Sequence, residues 1–257
     1  KDKIKKATYI SVNLNNKKEV KAILKKYNPS KVVHFGSENP SYTNNKKKNF
    51  FYRKNYNSTK NLIDCINHFN PKIHFIFANS SNIFLKKIIN KYNENDIFFE
   101  NDSYSKFRIK SYHYLKNLNL TNNFTYTNLI LFNHDSALRN DKFLLPRIVL
   151  AIKNKNQIFL NNIYKENIIR DFSHAEDICR AIYLLIKKNI HFDNLILSSS
   201  KKTKINTIIN YLLKKYNKSI KITAKPKKNT NYMIGDNKLA KKNLNWKQLK
   251  NIFIAAD

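Results

Sequence analysis

The chain of 257 residues is long enough for one large domain or two small ones, and its 42% hydrophobic and 13% aromatic content argues against disorder. It contains only two glycines, Gly36 and Gly235, so a complete glycine-rich phosphate-binding loop is excluded. Its two cysteines, Cys65 and Cys179, are too few for a disulfide framework or a zinc site of paired cysteines. We therefore expect no metal site and a reducing compartment.

The net charge of +32 suggests a nucleic-acid-binding protein, but the composition does not favour one. Only six of the 49 basic residues are Arg, and about one residue in six is Asn, which indicates a bias toward AT-rich codons along the whole chain. A nucleic-acid binder more often concentrates charge on one face and uses Arg to contact bases. We expect a solvated lysine surface that favours anionic ligands such as nucleotides, with a polyanion-binding protein as the least favoured alternative.

The sequence predicts neither a membrane span nor a signal peptide. No apolar run reaches the roughly 18–20 residues that a span requires, and the basic start KDKIKK is not followed by a signal-peptide apolar region. A cytoplasmic protein without membrane contact is the expectation. The chain begins with Lys rather than Met, which suggests a processed, renumbered or truncated product.

The spacing of apolar residues predicts strands that alternate with helices. The predicted strands are 8–14, 31–36, 72–81, 124–134 and 194–200. The predicted helices are 17–27, 56–69, 103–118, 143–154, 173–188 and 204–216. A capping box of Ser173 and Glu176 is expected to begin the helix at 173. This alternation predicts an α/β fold with a parallel sheet, helices on both of its faces, and ligands beyond the carboxyl ends of the strands.

Four segments resemble one family. ILFNHDSALRNDKFLLPRIVLAI (130–152) is similar to the L-F-N-H-E-S-P-R-R-G-x-x-F-V-x-R-K-I segment of GDP-mannose 4,6-dehydratases, and NIIRDFSHAEDICRAI (167–182) to their R-D-W-x-H-A-x-D-Y-V motif. FANSSNIF (77–84) resembles Q-A-S-T-S-E-L-Y, and GDNKLAKKNLNWK (235–247) resembles G-D-x-x-K-A-x-x-x-L-G-W-K. Order and spacing agree along essentially the whole chain, so it resembles this family of the extended short-chain dehydrogenase/reductase superfamily.

The resemblance implies a Rossmann-like fold of two domains. The nucleotide-binding domain would comprise residues 1–138 and 171–200, and a small C-terminal α/β substrate-binding domain would comprise residues 139–170 and 201–257. Family members open with a strand and a G-x-x-G-x-x-G loop that holds the cofactor pyrophosphate, and this chain starts after those elements. Either it is a fragment of a longer protein, or it cannot hold NADP (or NAD) in the usual way, so we expect weak or no binding.

The implied reaction is an internal redox dehydration of GDP-mannose to its 4-keto-6-deoxy product, and two catalytic positions depart from the family pattern. Tyr104 matches the family's tyrosine base, and Ser80 matches its threonine. Arg108 replaces the family's lysine; it keeps the charge but is planar and bulkier. Asn82 replaces the glutamate that removes the proton on carbon 5, and an amide cannot act as that base. Asp102 is the first alternative acid, although it could reach the site only through an unusual loop.

The resemblance also assigns residues to the two ligands. The cofactor would contact Gly36, Ser37, Asn13, His134 and Arg108. The nucleotide sugar would contact Asn133, Arg147 and Arg170. Simpler interpretations stay open: Ser80 could cap the local backbone, Arg147 could be a solvated cation, and Arg170 could pair with Asp171 or Glu166.

Two functions compete most closely. The first is an NADP-dependent nucleotide-sugar dehydratase, a lyase, that forms a homodimer through the helices near 56–69 and 103–118. The second is a catalytically impaired or non-catalytic relative, which Asn82 and Arg108 favour. Another nucleotide-sugar epimerase or reductase is a less favoured alternative.

Overall fold

The computed structural model describes residues 7–38, 48–84, 90–228 and 232–255. Its helices are α1 (Lys17–Tyr27), α2 (Lys48–Phe69), α3 (Ser103–Asn122), α4 (Leu144–Lys153), α5 (Gln157–Glu166), α6 (Ala175–Lys188), α7 (Ile205–Lys215), α8 (Lys238–Leu244) and α9 (Ile252–Ala255). Its strands are β1 (Lys31–His34), β2 (His74–Ser80), β3 (Asn90–Tyr92), β4 (Tyr126–Leu131), β5 (Asn133–Asp135), β6 (Ile169–Arg170), β7 (Phe172–His174), β8 (Asn194–Leu197), β9 (Thr203–Lys204) and β10 (Met233–Gly235). A short 3₁₀ turn, Ser81–Ile83, follows β2.

Four strands form one sheet in the order β1-β2-β4-β8, and all of its pairs are parallel. Lys31 lies opposite His74 and Ser80 opposite Leu131, so β2 and β4 end side by side at one edge. Within the described part of the chain, three two-stranded pairs accompany this sheet: β3–β10 and β5–β7 are parallel, and β6–β9 is antiparallel. The parallel sheet predicted from the apolar runs is confirmed.

Helices cover both faces of the sheet. Successive residues of a strand point to opposite faces, and both sets in β2 are buried. Phe75 and Phe77 pack into one hydrophobic cluster with α1, α2 and α3, whereas Ile76 and Ala78 pack into a second cluster with α6 and α8. This burial on both sides explains why the strand sequences are continuous apolar runs, and it confirms the predicted α/β architecture.

A third hydrophobic cluster joins α4, α5 and α7, and it includes the fully buried side chains Ile148, Leu160 and Ile208. These helices fall within the two stretches that the resemblance assigns to a substrate-binding domain. Leu244 and Trp246, from the same C-terminal stretch, instead pack against the sheet in the second cluster. The C-terminal stretch therefore contributes to both clusters, and the division into two domains stays a prediction.

The strand predicted at residues 8–14 is wrong. This segment has no regular structure, and Tyr9 and Ile10 are exposed. Its last residues form a turn in which the Asn13 carbonyl accepts a hydrogen bond from the Asn16 N–H at 2.8 Å. A strand needs a neighbouring strand to satisfy its backbone groups. β1 is the edge strand of the sheet, and no strand among the described residues pairs with its outer side.

The capping box predicted from Ser173 and Glu176 is also wrong. Ser173 lies in β7, opposite His134 of β5. Helix α6 begins at Ala175, and its N-cap is His174, whose Nδ1 accepts a hydrogen bond from the Glu176 N–H at 3.2 Å. Pairing with β5 keeps the chain extended through His174, so the helix begins two residues later than its apolar periodicity predicts.

Within the described ranges, no helix combines the length and the apolar character that crossing a bilayer requires.

Candidate active site

A cleft of about 650 Å³ opens beside the carboxyl ends of β2 and β4. Its walls come from these strand ends, from the segment after β1, from the start of α3, and from β5 with the loop that follows it. The sequence-predicted residues that line it are Ser37, Ser80, Tyr104, Arg108, Asn133 and His134. The carboxyl ends of parallel strands share one edge of the sheet, which is why residues so far apart in sequence meet here.

Tyr104 and Arg108 lie one turn apart on α3, and they contact each other. Arg108 Nη2 donates to Tyr104 Oη at 2.9 Å and to Ser37 Oγ at 2.7 Å, while Nη1 donates to the Ala78 carbonyl. The Arg108 side chain is buried, and no carboxylate among the described residues pairs with it. The Tyr104 oxygen is therefore held in place by a hydrogen bond from a buried cation.

His34 lies next to this cation. Burial, and secondarily the charge of Arg108, lowers the pKa of His34 to about 4, so the imidazole is neutral near pH 7. Its Nε2 and Thr59 Oγ1 form a hydrogen bond of 3.0 Å. Gly36 lies beside the cleft, and a Cβ at this position would come within 3.2 Å of the His34 ring. Packing against His34 thus explains why a residue without a side chain stands at position 36, and this explanation does not depend on a cofactor.

Ser80 is the last residue of β2, and Asn82 forms a hydrogen bond to Asp102, the N-cap residue of α3. Ser80 Oγ accepts a hydrogen bond from the Asn82 N–H at 3.2 Å, as the capping interpretation predicts, and it still faces the cleft. The Asn82 amide does not line the cleft; it donates to both carboxylate oxygens of Asp102, at 3.0 and 3.2 Å. Asp102 in turn caps α3 through the Ser105 N–H at 2.7 Å. Asn82 and Asp102 therefore hold each other outside the cleft.

The short strand β5 brings three polar side chains to the opposite wall, Asn133, His134 and Asp135. His134 Nδ1 is 2.9 Å from the Phe132 carbonyl, and burial lowers the pKa of His134. Asp135 is 4% exposed, and burial raises its pKa to about 6. Sequence reasoning missed Asp135, although it stands at the Glu of the family's N-H-E-S segment and directly follows two predicted site residues.

A second cation, Arg139, lines the cleft from the loop after β5. Its guanidinium lies 3.6 Å from the centre of the Phe143 ring, and its Nε is buried without a hydrogen-bond partner. With Arg108 it makes the cleft electropositive, which suits a phosphorylated ligand.

Three predicted ligand residues lie away from the cleft. Asn13 is exposed, and its N–H donates to Glu19 at 2.8 Å. Arg147 packs over the Phe159 ring at 4.9 Å and lines a separate groove of about 260 Å³. Arg170 donates to the Ile169 carbonyl at 2.8 Å and lines neither of these two cavities.

The two ion pairs considered for Arg170 do not form. Glu166 pairs instead with Lys227 at 2.7 Å. Asp171 is buried and accepts hydrogen bonds from the Ser199 and Ser200 N–H groups at 2.7 and 3.0 Å. Arg170 therefore keeps donors that no carboxylate among the described residues engages.

The fold and the cleft define an α/β protein of the Rossmann-like type, with a polar, electropositive site at the carboxyl ends of its parallel strands. The chain belongs to the family described as GDP-mannose 4,6 dehydratase, whose model matches residues 1–252. This match confirms the resemblance that the four segments predict. No curated protein matches the chain in sequence.

Several solved structures share the fold at low sequence identity. UDP-glucose 4-epimerase from Thermotoga maritima, with UDP-glucose, superposes with a TM-score of 0.79 at 14% identity, covering 95% of this chain and 80% of that one. RMD from Pseudomonas aeruginosa, complexed with NADPH, superposes with a TM-score of 0.80 at 15% identity, covering 96% of this chain and 85% of that one. dTDP-glucose 4,6-dehydratase from Bacillus anthracis, in complex with NAD, superposes with a TM-score of 0.79 at 14% identity, covering 96% of this chain and 76% of that one. These likenesses establish the fold.

Proposed function

We propose that this chain is a nucleotide-sugar enzyme of the GDP-mannose 4,6-dehydratase type, a lyase that acts on GDP-mannose. The observation that carries the proposal is the meeting of Ser80, Tyr104 and Asn133 in one cleft, with the buried cation Arg108 bonded to the tyrosine oxygen. Family membership supplies the reaction type, and the electropositive cleft suits a sugar diphosphate.

Each residue has a distinct part in this proposal. Tyr104 takes the proton of the sugar hydroxyl on carbon 4, and Arg108 stabilises the tyrosine oxygen when it is negative. Ser80 donates a hydrogen bond to the oxygen on carbon 4. Asn133 and Arg139 contact the nucleotide diphosphate. Arg147 and Arg170 lie outside the cleft, so the geometry gives their expected substrate contacts no support.

A nicotinamide dinucleotide fits the cleft in part. Ser37, Tyr104 and His134 could hold its nicotinamide riboside half, where the oxidised cofactor would take a hydride from the sugar and later return it. Arg108 already donates to Ala78, Ser37 and Tyr104, so a ribose hydroxyl would have to displace one of these bonds. The pyrophosphate half lacks a glycine-rich loop in this sequence. We expect the 257-residue chain to bind NADPH weakly or not at all; micromolar binding in a fluorescence titration would contradict this.

A catalytically impaired relative is the second candidate. The specific observation that favours it is the Asn82–Asp102 contact: an amide stands at the position of the family's proton-removing glutamate, and Asp102 is held outside the cleft. Such a protein would bind a nucleotide sugar without dehydrating it.

Two measurements on the same preparation separate the candidates. Isothermal titration with GDP-mannose tests binding. Formation of the 4-keto-6-deoxy product tests turnover, with NADP at a concentration high enough to load a chain that binds it weakly. We expect Tyr104→Phe to keep the affinity within about threefold and to lower turnover by about 10²-fold or more, because only the acid–base oxygen is removed. Tyr27→Phe, on the exposed end of α1, is the matched control and should change neither. Binding with no turnover by the parent would favour the impaired relative, and no binding would contradict both candidates.

The family resemblance also implies a homodimer through α2 and α3. We propose that these helices pair with those of a second copy, since they pack together on one side of the molecule. Sedimentation velocity of the full chain checks this, and a single monomeric species at micromolar concentration would contradict it.

A further inference from the structure

One carboxylate lines the cleft among the residues that the structure describes, and it is Asp135. It ends β5, on the wall that also carries Asn133, and it lies in the same cleft as Ser80 and Tyr104. A carboxylate at such a place needs an explanation, because burying an acid without a compensating partner is costly.

The hydrogen bonds of Asp135 leave its carboxyl group available. Its Oδ1 accepts one bond, from the neighbouring Ser136 N–H at 2.9 Å. No ion pair to Asp135 forms among the described residues, and the charge of Arg139 opposes only part of the rise in its pKa that burial causes. Asp171 and Asp177, the other deeply buried acids, accept hydrogen bonds from backbone N–H groups and lie outside the cleft. Asp135 therefore differs from an acid buried for structural reasons.

The other acids near the site are engaged elsewhere. Asp102 caps α3 and is bonded by the Asn82 amide. Glu100 pairs with Lys106 at 3.3 Å on the surface. Neither side chain lines the cleft. Asp135 is thus the acid that a ligand in the cleft would meet.

We propose that Asp135 moves the proton on the carbon beside the sugar ketone, the task left without a base by Asn82. The inference depends on the proposed function, since it requires a nucleotide sugar in the cleft. The Asp135 carboxylate takes the proton from carbon 5, and the C–H electron pair becomes the double bond of an enolate whose charge moves to the ketone oxygen. Reversal returns a proton from the Asp135 carboxylic acid to carbon 5. In dehydration, the enolate electrons instead expel the hydroxyl of carbon 6, which leaves as water with the proton held by Asp135.

The surroundings of Asp135 suit a base that works near neutrality. Burial raises the pKa of Asp135 to about 6, so the group is mostly ionised at pH 7 and is still basic enough to accept a proton. The titratable and charged groups around it are His134 beside it, Arg139 on the following loop, and His174 opposite it on β7, with Glu176 and Asp177 in the first turn of α6. The last two are engaged with Lys250 and Arg180.

The test follows proton exchange, which needs no cofactor. GDP-4-keto-6-deoxymannose is incubated with the full chain in D₂O, and loss of the carbon 5 proton signal is followed by NMR against a sample without protein. Saturation-transfer signals from the guanine ring report binding in the same tube. The variants are Asp135→Asn, which keeps the shape, Asp135→Glu, which keeps the acid, and Asp102→Asn, a matched control because Asn also caps helices well.

We expect the parent to exchange the proton above background. Asp135→Asn should lower the rate by about 10²-fold or more with unchanged binding, and Asp135→Glu should restore part of it. Asp102→Asn should stay within about twofold of the parent. The parent rate should rise with pH through about 6 and then level, because the ionised carboxylate is the active form.

Results that contradict the role of Asp135 can be told apart from results that contradict the proposed function. A parent that binds the probe without exchange above background, or an Asp135→Asn variant that binds and exchanges at the parent rate, overturns the inference and leaves the proposed binding intact. Loss of exchange in Asp102→Asn alone assigns the proton to Asp102 instead. Failure of the parent to bind either this probe or GDP-mannose overturns the proposed function, and the inference with it.

Discussion

Arg108 shows how one substitution changes the work of a residue. A lysine has one compact ammonium, whereas the planar guanidinium of Arg108 reaches three acceptors at once, on β2, on the segment after β1, and on Tyr104. Its Nε is still buried without a partner. The side chain thus ties two strand ends to α3, and it acts on Tyr104 through charge and position.

His74 makes a residue-scale prediction for stability. Burial first, and then the charges of His191 and Lys31, lowers the pKa of His74 to about 4 from 6.5. The unfolded chain therefore binds the proton more readily, so the stability from the neutral imidazole is present above pH 6.5 and is lost as the pH falls toward 4. The slope for this one group is at most about 1.4 kcal/mol per pH unit.

The check is urea denaturation of the parent and of His74→Gln at pH 7 and pH 4.5. We expect the free energy of unfolding to fall more in the parent than in the variant over this interval, because Gln does not titrate. His68→Gln is the control, since His68 is exposed near the end of α2. Parallel losses in parent and variant would show that His74 is not the group responsible.

At the scale of the elements, asparagine takes a place that glycine usually fills. The chain has two glycines, yet helices end in the left-handed conformation at Asn28, Asn123, Asn167, Asn189 and Asn245. Among ordinary residues Asn tolerates positive φ best, because its short polar side chain bonds locally. The glycine-poor composition therefore still permits sharp helix ends.

Asn123, which ends α3 with φ 53°, tests this explanation. Asn123→Ala should lower the free energy of unfolding by about 1 kcal/mol, because a Cβ without local hydrogen bonding is strained at positive φ. Asn123→Gly should be neutral or slightly stabilising. Thermal and urea denaturation of both variants measure the difference, and an alanine variant as stable as the glycine variant would contradict the explanation.

At the scale of the whole molecule, the charge of +32 affects any anion that approaches the cleft. We expect the dissociation constant for GDP to rise roughly tenfold between 50 and 500 mM NaCl, because salt screens the field of the dispersed lysines. Guanosine, which has no phosphate, is the matched control and should show little change. Titration calorimetry measures both, and equal salt dependence for the two ligands would contradict an electrostatic origin.

The sequence by itself determined the four strands of the main sheet with the helices between them, their parallel arrangement, and the meeting of Ser80, Asn133 and His134 at one edge. Apolar periodicity reports which face of an element is buried, and parallel strands bring their carboxyl ends together whatever lies between them. The family resemblance also assigned Tyr104 and Arg108 to the site, and the two side chains meet because residues four apart share a helix face. These features depend on local pattern and on general rules of α/β topology.

Only the tertiary structure decided which apolar segments form strands, where helix α6 begins and which acid lines the cleft. Residues 8–14 have the composition of a strand, but strand formation depends on a partner elsewhere in the chain. Helix α6 begins at Ala175 because β5, far away in sequence, holds His174 in a strand. Asn82 meets Asp102 across twenty residues, which leaves Asp135 as the acid of the cleft among the described residues. Periodicity carries no information about such distant contacts, because they depend on how separate elements pack.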